Sequence, residues 1–301
     1  MVRKIGLKLL NLTINLTHTT FSFFMILIFS KRTKKIVKQR DKECVILGNG
    51  PSLLEDLEKL KNCISDKILV CVNSFALTDE YVKLKPSIYV FMDPGYWESL
   101  DVTKTNHLDI LQDRDKTFSK ILEITDWPMI IYVPFRFKDS SLYKICENKN
   151  ITFIFFNSFP MQGFKWLINF SLNHRLGLLK AANVVTAALY FAIMSEYKTI
   201  YLSGVDHSWI NSIVVLEDSK VYMAQSHFYD NDTSFNPIYL NNKDNESPKL
   251  YKLLEIYSNV FKNYWILADF AGRMNCRIIN LTKKSHIDAF PKYQYNCTSN
   301  S

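Results

Sequence analysis

The chain has 301 residues, 48% of them hydrophobic, with 37 Lys and Arg against 29 Asp and Glu for a formal charge of +8. That length suits one large domain or two small ones and leaves room for a sizeable core. Nine of the basic residues and no acid fall within positions 1–40, so the remainder sums to −1, which excludes a body-wide basic surface for nucleic acid.

The first expected element is an apolar run over residues 9–29, flanked by Arg3, Lys4 and Lys8 and by Lys31-Arg32-Thr33-Lys34-Lys35. About 20 apolar residues span a bilayer. Positions 21–29 are strongly apolar, whereas Asn11, Asn15, His18 and several threonines dilute the first half. A weak transmembrane anchor, an interfacial helix, an uncleaved signal-like segment and an amphipathic helix packed on its own domain all remain open. Positive charge, and no small-residue cleavage site, follows the run, which favours a cytoplasmic body. Residues 1–40 are therefore read as a membrane-associating segment and 41–301 as a nucleotide-binding body.

A first buried strand is expected over 43–47, running into Gly48-Asn49-Gly50-Pro51-Ser52 and a helix from Leu53. Strand, Gly turn and helix start is a geometry that brings backbone N–H groups against a phosphate. Ser52 and Glu55 have the spacing of a capping box. The turn is neither G-x-G-x-x-G nor a Walker loop. Further continuous apolar runs lie at 67–72, 88–92, 129–133, 151–156, 199–202 and 277–279, and helical patterns at 183–195 and 250–272. Fully apolar strands alternating with helices predict an α/β, Rossmann-like fold with a mostly parallel sheet covered on both faces. The polar stretch 211–248 reads as an irregular excursion, and a lid is expected over about 207–248. The six cysteines form no C-x-x-C and read as buried reduced thiols.

Ligands of open α/β sheets bind beyond the carboxyl ends of the strands. The polar residues expected there are Asn49, Asn73 with Ser74, Asp93, the 203–209 segment with Ser203, Gly204, Asp206 and His207, and finally Asn280, Thr282 and Ser285. No Lys or Arg stands among them, so phosphate neutralisation is assigned to backbone amides, helix ends or lid residues. Histidine suits general-base work near neutral pH, which singles out His227 in the lid. His207 either binds ligand or packs beside Trp209, and Asp206 orients a histidine, binds a ribose or caps the turn. The strings Asp113-Arg114-Asp115 and Asp230-Asn231-Asp232 follow no apolar strand and read as solvated acids, so no metal or other cofactor is expected.

The strings 46–52, 72–75 and 197–206, with 282–290, resemble the bacterial lipooligosaccharide sialyltransferases of glycosyltransferase family 42. The G-N-G-P-S and Y-L-S-G-x-D strings are also similar to the MptE-like domain of pterin pyrophosphokinases and flagellin glycosyltransferases. The sialyltransferase resemblance implies a Rossmann-like domain with a lid, a CMP-sugar donor such as CMP-sialic acid and no metal. It implies nucleotide contacts from Asn49 and Asn73; the turn and strand-end reading adds Gly48, Gly50, Pro51, Ser52, Ser74, Asp93, Ser203, Gly204, Asp206, Thr282 and Ser285 as expected nucleotide-binding residues. His227 matches the family's lid base. The family's tyrosine pair is replaced at Ser208, with Tyr222 and Tyr229 as substitutes, and Asp93 stands where the family has an asparagine. The implied function is glycosyl transfer to a glycan or glycolipid acceptor of surface polysaccharide or lipopolysaccharide, at the cytoplasmic face of a bacterial inner membrane. The alternatives are an MptE-like ATP-dependent pyrophosphokinase and a non-catalytic membrane-anchored nucleotide-binding protein.

Overall fold

The seven continuous apolar runs become seven parallel strands. The computed structural model describes residues 2–60, 63–97, 105–140, 146–180, 183–226, 233–238 and 247–292. In chain order, α1 (Val2–Phe29) precedes β1 (Glu43–Leu47), α2 (Leu53–Leu60), β2 (Ile68–Val72), α3 (Glu80–Leu84), β3 (Ile88–Val90) and α4 (Thr105–Ile124). Then come β4 (Met129–Pro134), β5 (Ile151–Phe156), β6 (Pro160–Met161), α5 (Lys165–His174), β7 (Leu178–Leu179), α6 (Val184–Met194) and β8 (Thr199–Ser203). The chain continues through β9 (Ile213–Val215), β10 (Val221–Ser226), β11 (Thr233–Pro237), α7 (Leu250–Arg273) and β12 (Arg277–Asn280).

The central sheet has the order β12-β8-β1-β2-β3-β4-β5, all parallel. This is a Rossmann-like α/β fold. From β1 the chain builds outward through β2 to β5, then returns to place β8 on the other flank of β1. The direction of winding therefore reverses between β1 and β8, and such a reversal opens a crevice at the carboxyl ends. Register keeps those ends level, because Leu47 pairs with both Cys71 and Ser203.

Side-chain alternation divides the core between the two faces. Cys44 and Ile46 of β1 join the cluster covered by α6 and α7, while Val45 and Leu47 join the one covered by α2, α3 and α4. Every residue of α6 after Val184 is buried, which explains its almost wholly apolar composition. Burial on both faces also explains why the strands read as unbroken apolar runs.

The region expected to be irregular holds a three-stranded antiparallel sheet, β9-β10-β11. The capping box also fails to form. Ser52 turns its hydroxyl to Asp206 at 2.9 Å, and Glu55 pairs with Lys59 instead. Among the cysteines, Cys44, Cys71 and Cys276 are buried and free, Cys146 is half-buried and free, and Cys63 is disulfide-bonded, which corrects the reading of six buried thiols.

The N-terminal helix is built inside out relative to a surface helix of a soluble domain. Its polar residues Asn15, Thr19 and Ser22 share one face, and that face meets the body. Thr19 Oγ1 accepts the Phe164 N–H (2.8 Å), and Ser22 Oγ donates to the Gln162 carbonyl (2.9 Å). Leu9, Leu10, Leu12, Leu16, Phe21, Phe24, Leu27 and Ile28 all point outward. Residues 8–29 are long and apolar enough to cross a membrane. The following segment lies along the body: Ile36 is buried in the core, Lys38 and Arg40 pair with Glu196, and Gln39 N–H donates to Ser195 (2.7 Å).

Candidate functional site

The crevice at the winding reversal is a cleft of about 1020 Å³. The turn after β1 supplies Gly48, Asn49, Gly50 and Pro51, the end of β2 supplies Asn73, and the turn after β3 supplies Asp93. The turn after β8 supplies Gly204, Asp206, His207, Ser208 and Trp209, and the lid supplies Ser212 and Met223. Asn49, Asn73, Asp93, Asp206 and His207 are thus brought together as the strand-end argument expects.

The two turns are locked to one another. Gly48 N–H donates to Ser203 and Gly50 N–H to Gly204, both at 2.8 Å. A Cβ on Gly50 would lie 1.9 Å from Asp206 Oδ2 and 2.6 Å from the Gly204 carbonyl. Gly204 itself has φ +65°, in the left-handed region that glycine enters without penalty. Ser52 N–H faces Asp206 Oδ2 at 3.4 Å, and Leu53 N–H donates to Gly50 (3.0 Å). The N–H groups of Gly48, Gly50, Ser52 and Leu53 are therefore used within the protein. This corrects the expectation that the turn offers them to a phosphate.

Several expected site residues build the turns instead of lining the cleft. Thr282 Oγ1 accepts the Val205 N–H (3.0 Å), and Ser285 Oγ donates to the Val205 carbonyl (2.6 Å). Ser203 is fully buried, and Ser74 shares a hydrogen bond of 2.7 Å with the Tyr96 hydroxyl. Ser52 bridges Asp206 and Asp56, with 3.3 Å to the latter. Burial raises the Asp56 pKa, and the nearby Asp206 charge adds to the rise, against a Gly204 N–H bond (3.2 Å) that opposes it. Tyr222 bonds Asp218 (2.8 Å) within the β9–β10 hairpin, and its strand neighbour Met223 faces the cleft. His227 and Tyr229, with Asp230 and Asp232, lie outside the described residues. Asp113 and Asp115 are exposed on α4.

Two features of the cleft suit a ligand. Asn73 is held at φ 49°, and its Oδ1 is buried without a hydrogen-bond partner. Its carbonyl accepts the Tyr89 hydroxyl, which fixes the backbone. An unpaired buried acceptor is costly, so a bound N–H or O–H donor would relieve it. The second feature is positive charge. Arg136, just after β4, and Lys180, between β7 and α6, both line the cleft. Sequence reasoning missed these two cations. Testing the residues that follow every strand, β4 included, finds Arg136, but β7 is only two residues long and gives no signal.

His207 is fixed and neutral. It sits at φ 56°, which non-glycine residues rarely adopt. Asn183 caps α6 by accepting the Val185 N–H on Oδ1 (2.7 Å), so its Nδ2 faces His207 Nε2 at 3.4 Å. An amide nitrogen only donates, so Nε2 accepts and the ring proton lies on Nδ1. Tyr264 shares a 2.7 Å hydrogen bond with the same Nε2, and burial keeps that phenol protonated. Burial, helped by His286, lowers the His207 pKa from 6.5 to about 4. A ring whose acceptor nitrogen is occupied shapes the cleft wall and does not collect a proton. Among the described residues, no group of three or more His, Cys, Asp or Glu is placed to hold a metal ion.

Fold and cleft define a Rossmann-like domain with a ligand crevice at its winding reversal. The chain belongs to the MptE-like family, whose model, described as 6-hydroxymethylpterin diphosphokinase MptE-like, matches residues 15–212. A solved structure, that of the MAf glycosyltransferase from Magnetospirillum magneticum AMB-1, is similar at 11% identity with a TM-score of 0.44. The superposition covers 94% of this chain and 38% of that one, so the chain spans well under half the length of that protein. No curated protein matches the chain.

Proposed function

We propose that the protein is a membrane-attached glycosyltransferase that takes a nucleotide-activated sugar, with a CMP-sugar as the first candidate. The observation that carries the reading is the cleft itself, which holds an unpaired amide acceptor at Asn73 together with Arg136 and Lys180. The amide suits a base amino group or a ribose hydroxyl, and the cations suit the donor phosphate. In this scheme the acceptor hydroxyl oxygen bonds to the anomeric carbon. The bond from that carbon to the phosphate oxygen breaks, and the nucleotide leaves with the electron pair. Arg136 and Lys180 stabilise the charge that develops on it. His227 takes the acceptor proton, because His207 is held neutral with its acceptor nitrogen occupied. The exposed apolar face of α1 supports a membrane-borne acceptor, of the surface-glycan kind, at the cytoplasmic side of a bacterial inner membrane. A soluble pterin would give that helix no role.

The second reading, an ATP-dependent pyrophosphokinase, is favoured by the description of the matching family. A thermal-shift panel of CMP, CDP, UDP, GDP and ATP, each with and without Mg²⁺, separates the two. A ligand that binds only the native state adds about 2.7 kcal/mol at a hundredfold excess over its Kd. Stabilisation by a cytidine nucleotide without Mg²⁺ is expected. Stabilisation by ATP alone, and only with Mg²⁺, contradicts the glycosyl-transfer reading.

A further inference from the structure

A second cavity, of about 710 Å³, lies beneath α1. Asn15 and His18 of α1 form one wall, and residues of the 161–169 segment and of α7 form the others. Leu179 and Lys180 line both this cavity and the cleft, so one short stretch of chain separates them. Resting on the glycosyl-transfer reading, we propose that this cavity is the acceptor subsite. Its occupant is an anionic amphiphile drawn from the bilayer, with its charged head among Lys165, Lys180 and Lys262 and its chain along the outward face of α1.

Charge is the first argument. The cavity is lined by those three lysines and a single acid, Asp269, which Arg273 already holds at 2.7 Å. An anionic head completes that balance. The second argument is the helix. Its polar residues Asn15 and His18 line the cavity, and its leucines and phenylalanines from Leu9 onward are exposed. The third is the surface of the two helices that line the cavity. Trp166 (62% exposed), Phe170 (48%) and Trp265 (55%) stand out from α5 and α7, and α5 and α7 also carry Lys165 and Lys262. Exposed Trp beside Lys is the composition of a membrane–water boundary.

Geometry selects a lipid over a free phosphate. At about 1.5 Å per residue, α1 is roughly 42 Å long, enough to cross a bilayer core of about 30 Å. Yet its middle is hydrogen-bonded to Gln162 and Phe164. A crossing helix would carry that docking surface, with Lys165 and Lys262, into hydrocarbon, which is costly. The docked helix therefore lies in the interface plane, with the cavity opening at headgroup depth. The acceptor then reaches Lys180, and so the cleft, without leaving the membrane surface.

The test uses the full chain in dodecylmaltoside micelles and a fluorescent dodecyl phosphate as the probe. Saturable binding of one probe per chain is expected, unaffected by 10 mM inorganic phosphate, with the uncharged dodecanol analogue binding at least tenfold more weakly. The double variant Lys165→Glu/Lys262→Glu should lose at least tenfold in probe affinity, and Lys262→Glu alone several-fold. Both side chains are exposed, so melting temperature and nucleotide-induced stabilisation should stay at wild-type values. Wild-type probe affinity in a folded double variant, or full competition by inorganic phosphate, overturns the proposal. Failure of every nucleotide to bind, with the probe behaving as expected, refutes the glycosyl-transfer reading and leaves the amphiphile site standing. Nucleotide binding without saturable probe binding does the reverse.

Discussion

Acidification should destabilise this protein through His207. The imidazole has a folded pKa of about 4 against 6.5 when exposed, so the unfolded chain takes up the proton first. A group with a depressed folded pKa contributes stability that is fully present above the unfolded value and is lost as pH falls toward the folded one. Each pH unit in that window costs about 1.4 kcal/mol, so lowering the pH from 6.5 to 5 should remove about 2 kcal/mol, rising to roughly 3 near pH 4. The physical source is the burial of the ring, which disfavours its charged form, with His286 adding to the effect. Urea titrations at half-unit steps from pH 7.5 to 4.5 measure the slope, and His207→Gln, uncharged throughout, provides the comparison. The variant should begin less stable at pH 7.5 and show a flat profile between 6.5 and 5. An equal slope in both proteins would refute the assignment and place the acid sensitivity elsewhere.

Replacing Gly50 by Ala forces a methyl against Asp206 and the Gly204 carbonyl, neither of which can yield without opening the turn; a loss of about 3 kcal/mol or more is expected, read as a fall of several degrees in melting temperature. Two truncations divide the N-terminal segment. Starting the chain at residue 30 should keep the body folded, whereas starting at 41 removes buried Ile36 and the partners of Glu196, at a further cost of about 2–5 kcal/mol in denaturant unfolding. Equal stability of the two truncations would show that 30–40 is dispensable. His227→Ala should lower turnover by about 10²–10⁴-fold and leave nucleotide affinity near the wild-type value. Near-normal turnover would remove it as the base.

Much of the fold was legible because the central strands are buried on both faces. Positions 44–47, 68–72 and 200–202 are hydrophobic throughout, since neither face meets water. The lid sheet was not legible for the opposite reason. Thr233–Pro237 is mostly polar, and what holds β11 is main-chain pairing with β10, which composition does not record. The strand-end rule brought Asn49, Asn73, Asp93, Asp206 and His207 to one cleft but could not separate lining from scaffolding. Thr282 and Ser285 follow a strand just as Asn73 does, yet their hydroxyls are taken by Val205. The polar residues at 15, 18 and 19 looked like dilution of an apolar run, and Ser22 passed unremarked in its apolar half. Their spacing of three and four puts them on one helical face, and that face is the one docked on the body.

The central claim is that the cleft at the winding reversal binds the nucleotide through Asn73. Calorimetric titration of the panel's best nucleotide into wild type and Asn73→Gly tests it most directly, because glycine keeps the left-handed backbone at φ 49° and removes only the amide. Loss of a buried partner costs about 1–3 kcal/mol, so the Kd should rise roughly 5- to 150-fold. Stability without ligand should change little, since Asn73 Oδ1 has no partner to lose. An unchanged Kd in a folded Asn73→Gly protein would contradict the account.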